Sequence, residues 1–278
     1  MKKILITGDS RNEKVVQTIN RLKPILTKSA EIAEADLAES PGLEKEQADL
    51  VCVFGGDGSL LRAVNLLGAN QLPLVGINVG HLGFLTEFSE TELVGALPKI
   101  LSGEIAPGQR MMLDVRLVRA GNELRTWHAL NEAVLVRLYR AQMIRFRVTI
   151  DATEITEVSG DGVIAATPTG STAYSLSAGG SIVVPGTEAI CITPVNPHTV
   201  TSRPLVVKAD SVVEIELLAD REKVVVSVDG REGFDVERGD VVKVRRSERR
   251  CRLVENKAFF ETLRTKLSWG GSPTYGKN

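Results

Sequence analysis

Along the first hundred residues, short apolar runs bounded by Gly or Asp alternate with stretches in which apolar side chains recur every three or four positions. That alternation predicts parallel strands covered by helices. Residues 4–6 open the series as a strand, and Val15, Ile19, Leu22 and Ile25 are spaced to form one apolar helix face. Residues 50–54 and 72–77 read as buried strands; glycines follow the first at once, and 59–67 then reads as a helix. Beyond about Ile105 the period falls to two: Leu113, Val115 and Leu117 alternate with Asp114, Arg116 and Val118, and Phe146, Val148 and Ile150 alternate with Arg147 and Thr149. Further alternating runs at 213–217, 224–228 and 241–244, separated by turn signals such as Asp229-Gly230, predict antiparallel strands. Residues 257–267 read as a helix, and the Gly-rich, polar residues from Gly270 as a frayed tail.

The change of period divides the chain into an α/β phosphate-binding domain at 1–104 and a β-rich domain at 105–255, with a C-terminal helix and tail at 256–278 expected to dock back on the first domain. A chain of 278 residues is long for a single core. With 43% apolar and 25% charged residues it has the balance of an ordinary globular protein. A net charge of -1 leaves no global field to gather nucleic acid or an anionic membrane, which argues against both as partners. Three scattered cysteines, Cys52, Cys191 and Cys251, suit neither a disulfide framework nor paired metal-ligand spacing, and point to a reducing cytoplasm. The lysines after Met1 precede an apolar run too short for a signal peptide, and no stretch approaches the roughly 20 apolar residues of a membrane-spanning helix. His81, His128 and His198 share no metal-ligand spacing, so no metal site built by the protein alone is expected.

Gly55-Gly56-Asp57-Gly58-Ser59 lies between a buried strand and a helix. There the free N–H groups of the helix start favour anions, and glycines let phosphate approach the backbone. Asp57 adds a group able to take a proton from a hydroxyl or to hold Mg²⁺, which phosphoryl transfer needs. The tetrapeptide alone is a weak signal, better read as a tight turn with Asp57 or Ser59 as cap. A Walker pattern and the spaced glycines of a dinucleotide fingerprint are both missing. Further on, Gly160-Asp161-Gly162 leads an apolar strand into Thr167-Pro168-Thr169-Gly170-Ser171-Thr172-Ala173-Tyr174-Ser175-Leu176-Ser177-Ala178-Gly179-Gly180. Its small and hydroxylated residues allow close ligand approach, but they also suit a turn-rich β segment.

The Gly-Gly-Asp-Gly loop, Asn131-Glu132 and the long Thr-Pro-Thr-Gly-Ser-Thr-Ala-Tyr run stand in the order and approximate spacing of bacterial NAD kinases, which the chain resembles over nearly its whole length. Gly80-His81-Leu82-Gly83-Phe84-Leu85, Ser202-Arg203-Pro204-Leu205 and Thr265-Lys266-Leu267-Ser268-Trp269 extend the resemblance. It implies a fold like that of NAD and diacylglycerol kinases, an α/β domain with a parallel sheet plus a β-rich C-terminal domain, with the active site in the interdomain cleft. The implied activity is transfer of the γ-phosphoryl group of ATP, with Mg²⁺, to the 2′-hydroxyl of the adenosine ribose of NAD, giving NADP. The implied assembly is a homodimer or homotetramer.

Carried over position by position, the resemblance makes Asp57 the proton acceptor and places Gly55, Gly56, Asp57 and Gly58 at the reacting ribose and phosphates. Arg62 would reach anionic oxygen, and Asn131 and Glu132 would hold adenine and ribose. Asp161 and Thr172, Ala173, Tyr174, Ser175, Leu176 and Ser177 would complete the dinucleotide site, with Asp161 accepting from an amide such as the nicotinamide carboxamide. Gln142 and Ser159 stand where the family pattern has basic residues, leaving fewer cations at the pyrophosphate, and Arg231 after Asp229-Gly230 is placed to compensate. Two rival readings carry the same loop. One is a lipid or other small-molecule kinase, against which Tyr174 and its motif argue; the other is a catalytically silent NAD-binding sensor, against which Asp57 argues.

Overall fold

In a computed structural model, residues 1–40, 42–80, 82–139, 143–199, 201–219 and 223–269 are described. The chain divides into two units, Met1–Gly108 with the described residues from Arg252 onward, and Gln109–Cys251.

In the first unit, β1 (Lys3–Gly8), α1 (Glu13–Leu26), β2 (Glu31–Asp36), β3 (Leu50–Gly55), α2 (Asp57–Leu67), β4 (Leu74–Asn78) and α3 (Glu90–Ser102) follow one another. The strands form a parallel sheet in the order β2-β1-β3-β4. Every residue of β3 is buried, as its unbroken apolar run requires when both faces of a strand are covered. Ile4, Ile6, Cys52, Phe54, Val75 and Ile77 pack in one core with Val15, Leu22 and Leu26 of α1 and Leu93 and Leu97 of α3. Asn12 caps α1 by accepting from Lys14 N and Val15 N, and Ser89 with Glu92 forms a reciprocal capping box at α3.

One expectation is corrected here. Ile25 is 41% exposed, and Leu26 takes its place in the buried face. At about 100° per residue, Leu26 lies roughly 20° from Val15 around the helix and Ile25 roughly 80° away.

Among its described residues the second unit is all β apart from two short turns of helix. Its strands are β5 (Gly108–Arg119), β6 (Asn122–Ala129), β7 (Glu132–Arg137), β8 (Ile144–Ile150), β9 (Thr153–Gly160), β10 (Gly162–Ala166), β11 (Ala189–Val195), β12 (Leu205–Lys208), β13 (Val213–Ala219), β14 (Val224–Val228), β15 (Phe234–Val236) and β16 (Val241–Leu253). A 3-10 turn at Gly170–Thr172 and the single-turn helix α4 (Tyr174–Ser177) separate β10 from β11. One sheet runs β16-β13-β8-β9, with β5 on β16 and β6 on β5; the other runs β12-β11-β10-β7-β14-β15. The alternating apolar residues of β5, β8 and β13 pack with Leu135, Val163, Ile192 and Val226 of the second sheet in one core. On the other face of that sheet, Val134, Ile164 and Cys191 pack with Ala178 and Val183. Strand β10 is thus buried on both faces, which accounts for its wholly apolar sequence.

The last residue of β16, Leu253, pairs with Leu74 of β4, and α5 (Phe259–Lys266) follows in the first unit. The expected tail from Gly270 lies outside the described residues. Among the described residues no helix is long and apolar enough to cross a membrane. All three cysteines are free and buried.

Candidate active site

Strand β3 ends at Gly55, Gly56 is the N-cap of α2, and Asp57 is the first helical residue. Gly56 and Gly58 are exposed, so the open N–H groups of the first turn face outward beside them. Asp57 is half-buried, and its carboxylate is fixed by the turn after Leu82. Oδ1 accepts from Leu85 N (3.0 Å), Thr86 N (3.0 Å) and Thr86 Oγ1 (3.1 Å), whereas Oδ2, among the described residues, accepts only from Phe84 N (2.8 Å). Oδ1 is saturated; Oδ2 keeps a lone pair for a further donor. Gly83 makes this approach possible, because a Cβ there would overlap Asp57 Oδ1 and Cγ. Arg62, one turn along α2, is exposed and donates to the carbonyl of Ala38 at 3.3 Å.

In the second unit, Asn131 and Glu132 enter β7 between two clamps. Asp229, in the turn after β14 with φ +49°, accepts from Leu130 N (2.8 Å), Asn131 N (2.8 Å) and Glu132 N (3.1 Å). From the other side, Thr167 donates its N–H to Asn131 O (2.8 Å) and its hydroxyl to Leu130 O (2.6 Å), while accepting from Gly170 N (3.0 Å). Both residues are 7% exposed, yet among the described residues Asn131 Oδ1 and Glu132 Oε2 have no hydrogen-bond partner. Buried acceptors without donors are costly and mark a place where a ligand with N–H or O–H groups can bind. Burial, reinforced by the charge of Asp229, pushes the Glu132 carboxyl up to about 8. Burial also pushes Asp229 up, but three N–H groups and Arg231 oppose it. Both carboxyls are thus raised by burial, and Asp229 has three backbone N–H groups that hold its charged form.

Gly170 is the tightest point of this arrangement, since a Cβ there would overlap the backbone of Asn131. Gly170→Ala is expected to cost about 1–3 kcal/mol of stability and to weaken any ligand held by Asn131. Urea denaturation of the variant beside the wild type measures the first effect; coincident curves would show that the turn can yield.

Asp161 links β9 to β10, with its N–H donating to Val195 O (2.9 Å) and its C=O accepting from Arg137 N (3.1 Å). Its carboxylate is ion-paired with Arg137 and accepts from Asn196 Nδ2 at 2.8 Å. Ser159 pairs with Arg145 across β8 and β9, and its carbonyl accepts from His198 N. In the segment 172–177, Thr172 Oγ1 bonds the carbonyl of Thr169, Tyr174 is 42% exposed, and Leu176 is half-buried. Ala173 is half-buried and Ser177 exposed, but Ser175 is fully buried and bonds Thr193 Oγ1 at 2.9 Å. The hydroxyl of Ser175 thus braces the segment from within. Arg231 donates to the carbonyls of Val228 (3.0 Å) and His128 (2.9 Å), which leaves the remaining N–H groups of its fork. Gln142 and His81 lie outside the described residues.

The structure thus brings Gly55, Gly56, Asp57, Gly58 and Arg62 together in the first unit and Asn131, Glu132 and Arg231 together around Asp229 in the second. Sequence reasoning missed the residues that hold them. Asp229 was visible only as a turn former, and the backbone of Phe84, Leu85 and Thr86 carries no side-chain signal. Thr193 lies in an apolar strand, where a hydroxyl partner for Ser175 could have been sought.

The ATP-NAD kinase N-terminal domain model matches residues 7–105 and the ATP-NAD kinase C-terminal domain model matches 130–256. Among curated proteins, the NAD kinase of Geotalea daltonii is 45% identical over 227 residues, covering 81% of this chain and 80% of the relative. The NAD kinase of Geobacter sulfurreducens is 44% identical over 225 residues, covering 80% and 79%. The crystal structure of yeast NADH kinase complexed with NADH is similar with a TM-score of 0.88 at 26% identity, covering 100% of this chain and 90% of the other. An NAD kinase from Archaeoglobus fulgidus in complex with ATP matches with a TM-score of 0.75 at 26% identity, covering 96% and 98%. With both domain models matched in order, around the glycine loop and the Asn131-Glu132 clamp just described, the chain belongs to the ATP-NAD kinase family.

Proposed function

We propose that the chain transfers the γ-phosphoryl group of ATP to the 2′-hydroxyl of the adenosine ribose of NAD. The observation that carries this reading is the asymmetry of Asp57: three donors lock Oδ1, and Oδ2, at the exposed helix start, retains acceptor capacity. In the reaction the 2′-hydroxyl gives its proton to Oδ2 as its oxygen bonds to the γ-phosphorus, and ADP leaves with the electrons of the broken P–O bond. The N–H groups around Gly56 and Gly58 receive phosphate oxygens, with Arg62 as the nearest cation on the same helix. Asn131 Oδ1 and Glu132 Oε2 accept from the amino and hydroxyl groups of the adenosine, and Tyr174 packs on the dinucleotide.

Among the described residues no group of three or more His, Cys, Asp or Glu side chains could hold a metal ion. Triphosphate oxygens and water are nevertheless a donor set that Mg²⁺ accepts. The ion would come with ATP and would supply positive charge against the transferring group, leaving the free lone pair of Asp57 Oδ2 for the 2′-hydroxyl.

Purified protein with NAD, ATP and Mg²⁺ should form NADP, read by a coupled NADP-specific dehydrogenase, and form none when ATP is withheld. NAD binding without any NADP formation would replace the kinase by an NAD sensor. Tyr174→Ala should raise KM for NAD about tenfold and leave KM for ATP within about twofold. An unchanged KM for NAD removes Tyr174 from the dinucleotide site.

A further inference from the structure

The backbone of the turn at Phe84, Leu85 and Thr86 holds the Asp57 carboxylate, and the side chains of the same turn are gripped by the chain that leaves β16, all within the first unit. The grip has two points. Glu87, 6% exposed, accepts from Asn256 N (2.9 Å) and Lys257 N (3.1 Å) at Oε2, and its carbonyl accepts from Asn256 Nδ2 (3.4 Å). Three residues earlier, the Phe84 ring meets α5. The Phe259 ring lies 6.4 Å away between centroids, tilted by 38°, and the Lys266 ammonium stands 5.0 Å from the Phe84 centroid. Phe260 in turn packs edge-on against Phe259 at 5.5 Å.

Phe259 and Lys266 are the first and last residues of α5. Seven positions apart, they lie roughly 20° from one another around the helix and so share a face, and the long lysine side chain leans back towards the helix start. Both converge on the residue with the most direct hold on the reacting oxygen. Leu85 N and Thr86 N serve Oδ1 of Asp57, whereas Phe84 N is the donor to Oδ2, the oxygen that keeps a lone pair. Phe84 is only half-buried, so burial alone does not fix its ring. A second ring in a tilted contact and a cation over the face each prefer one placement. A phenylalanine side chain has two soft torsions, so fixing the ring restricts the direction of its Cα–Cβ bond and with it the adjoining peptide plane.

We infer that Phe259 and Lys266 are positioning residues for phosphoryl transfer: by clamping the Phe84 ring they aim its N–H at Asp57 Oδ2, which turns the remaining lone pair of that oxygen towards the acceptor hydroxyl. Neither side chain takes part in the chemical step. The inference rests on Asp57 as the proton acceptor and adds what keeps its carboxylate aimed. It also gives a part to Phe84 and to Lys266 in Thr265-Lys266-Leu267, which the chemistry above leaves without one.

In the full-length protein, Phe259→Ala should lower kcat about tenfold and leave both KM and Kd for NAD within about twofold. Lys266→Met should lower kcat about threefold, and Lys266→Arg should restore it, since a guanidinium also sits on an aromatic face. Leu22→Ala, which opens the same core at α1, should lower the melting temperature at least as much while changing kcat less than about twofold, separating aim from stability. In a Phe84→Ala background the clamp has nothing to hold, so adding Phe259→Ala should change kcat less than about twofold. Losses that multiply in the double variant, or an unchanged kcat in the folded single variants, overturn the inference and leave the kinase standing. Amide hydrogen exchange gives a reading that needs no turnover: the Phe84 N–H should exchange at least about threefold faster in Phe259→Ala and Lys266→Met than in the wild type. A wild-type exchange rate there overturns the inference even where kcat falls. Should Phe259→Ala fail to fold, the two Lys266 variants and their exchange decide. If the wild type forms no NADP the kinase reading falls, and the exchange alone decides whether α5 holds the turn.

Discussion

Asp57→Asn should abolish measurable NADP formation, with a loss of about 10²–10⁴ in kcat and a KM for NAD within about threefold of the wild type. The amide cannot take the proton of the 2′-hydroxyl, and it also disturbs the structure. If the new amide kept its oxygen in the Oδ1 position, its nitrogen would face Phe84 N, donor against donor, where Oδ2 of Asp57 now accepts at 2.8 Å. That mismatch is expected to cost about 1–3 kcal/mol of stability. Loss of chemistry must therefore be separated from loss of the turn. Thr86→Val removes only the hydroxyl donation to Oδ1 and keeps the carboxylate, so it should lower kcat by less than about tenfold while also lowering the melting temperature. A loss of kcat in Thr86→Val as large as in Asp57→Asn would mean that the turn, and not the proton acceptor, sets the rate. Activity retained in Asp57→Asn would remove Asp57 from the chemical step.

The second large effect concerns Glu132. Its carboxyl is held at about 8 in the folded protein, against an ordinary value near 4.5 in the unfolded chain. Between those two pH values the folded form keeps a proton that the unfolded form has released. The stability tied to that proton is complete below the unfolded value and is lost as pH rises through the folded one. Wild-type stability should therefore fall from pH 5 to pH 9 relative to Glu132→Gln, which has nothing to titrate. The two proteins should match within about 1 kcal/mol near pH 5, and the variant should lead by about 2–4 kcal/mol at pH 9. Urea midpoints of both proteins at pH 5, 7 and 9 measure the difference, and parallel curves would show that Glu132 ionises normally in its buried setting.

Much of this architecture is legible in the order of residue types. The unbroken apolar run of β3, the glycines after it and the periodic residues of α2 place Asp57 at a helix start without any structure. The two-residue period of β5 and β8 likewise identifies the buried side chains of the second unit. What escapes is of two kinds. Strand β2, Glu31-Ile32-Ala33-Glu34-Ala35-Asp36, is an edge strand with no fully buried residue, so its pattern is too weak to separate from a loop. The other kind is non-local: Asp229 clamps backbone groups 97 to 99 positions earlier, and the cradle of Asp57 is made of main-chain N–H groups. The candidate site residues came from family resemblance rather than from periodicity, and it could not tell that Ser175 faces the interior while Tyr174 faces out.

The three cysteines bear on how the protein meets oxidants. Burial raises the thiols of Cys52 and Cys251 to about 12 and that of Cys191 to about 11. At neutral pH almost none of the reactive thiolate exists, and peroxide or disulfide reagents can reach these sulfurs only when the surrounding strands open. Cys52 lies five residues before Asp57 in a strand with no exposed position. The glycine loop is thus insulated from thiol redox chemistry, and peroxide that leaves the fold closed leaves the strand before this loop unmodified.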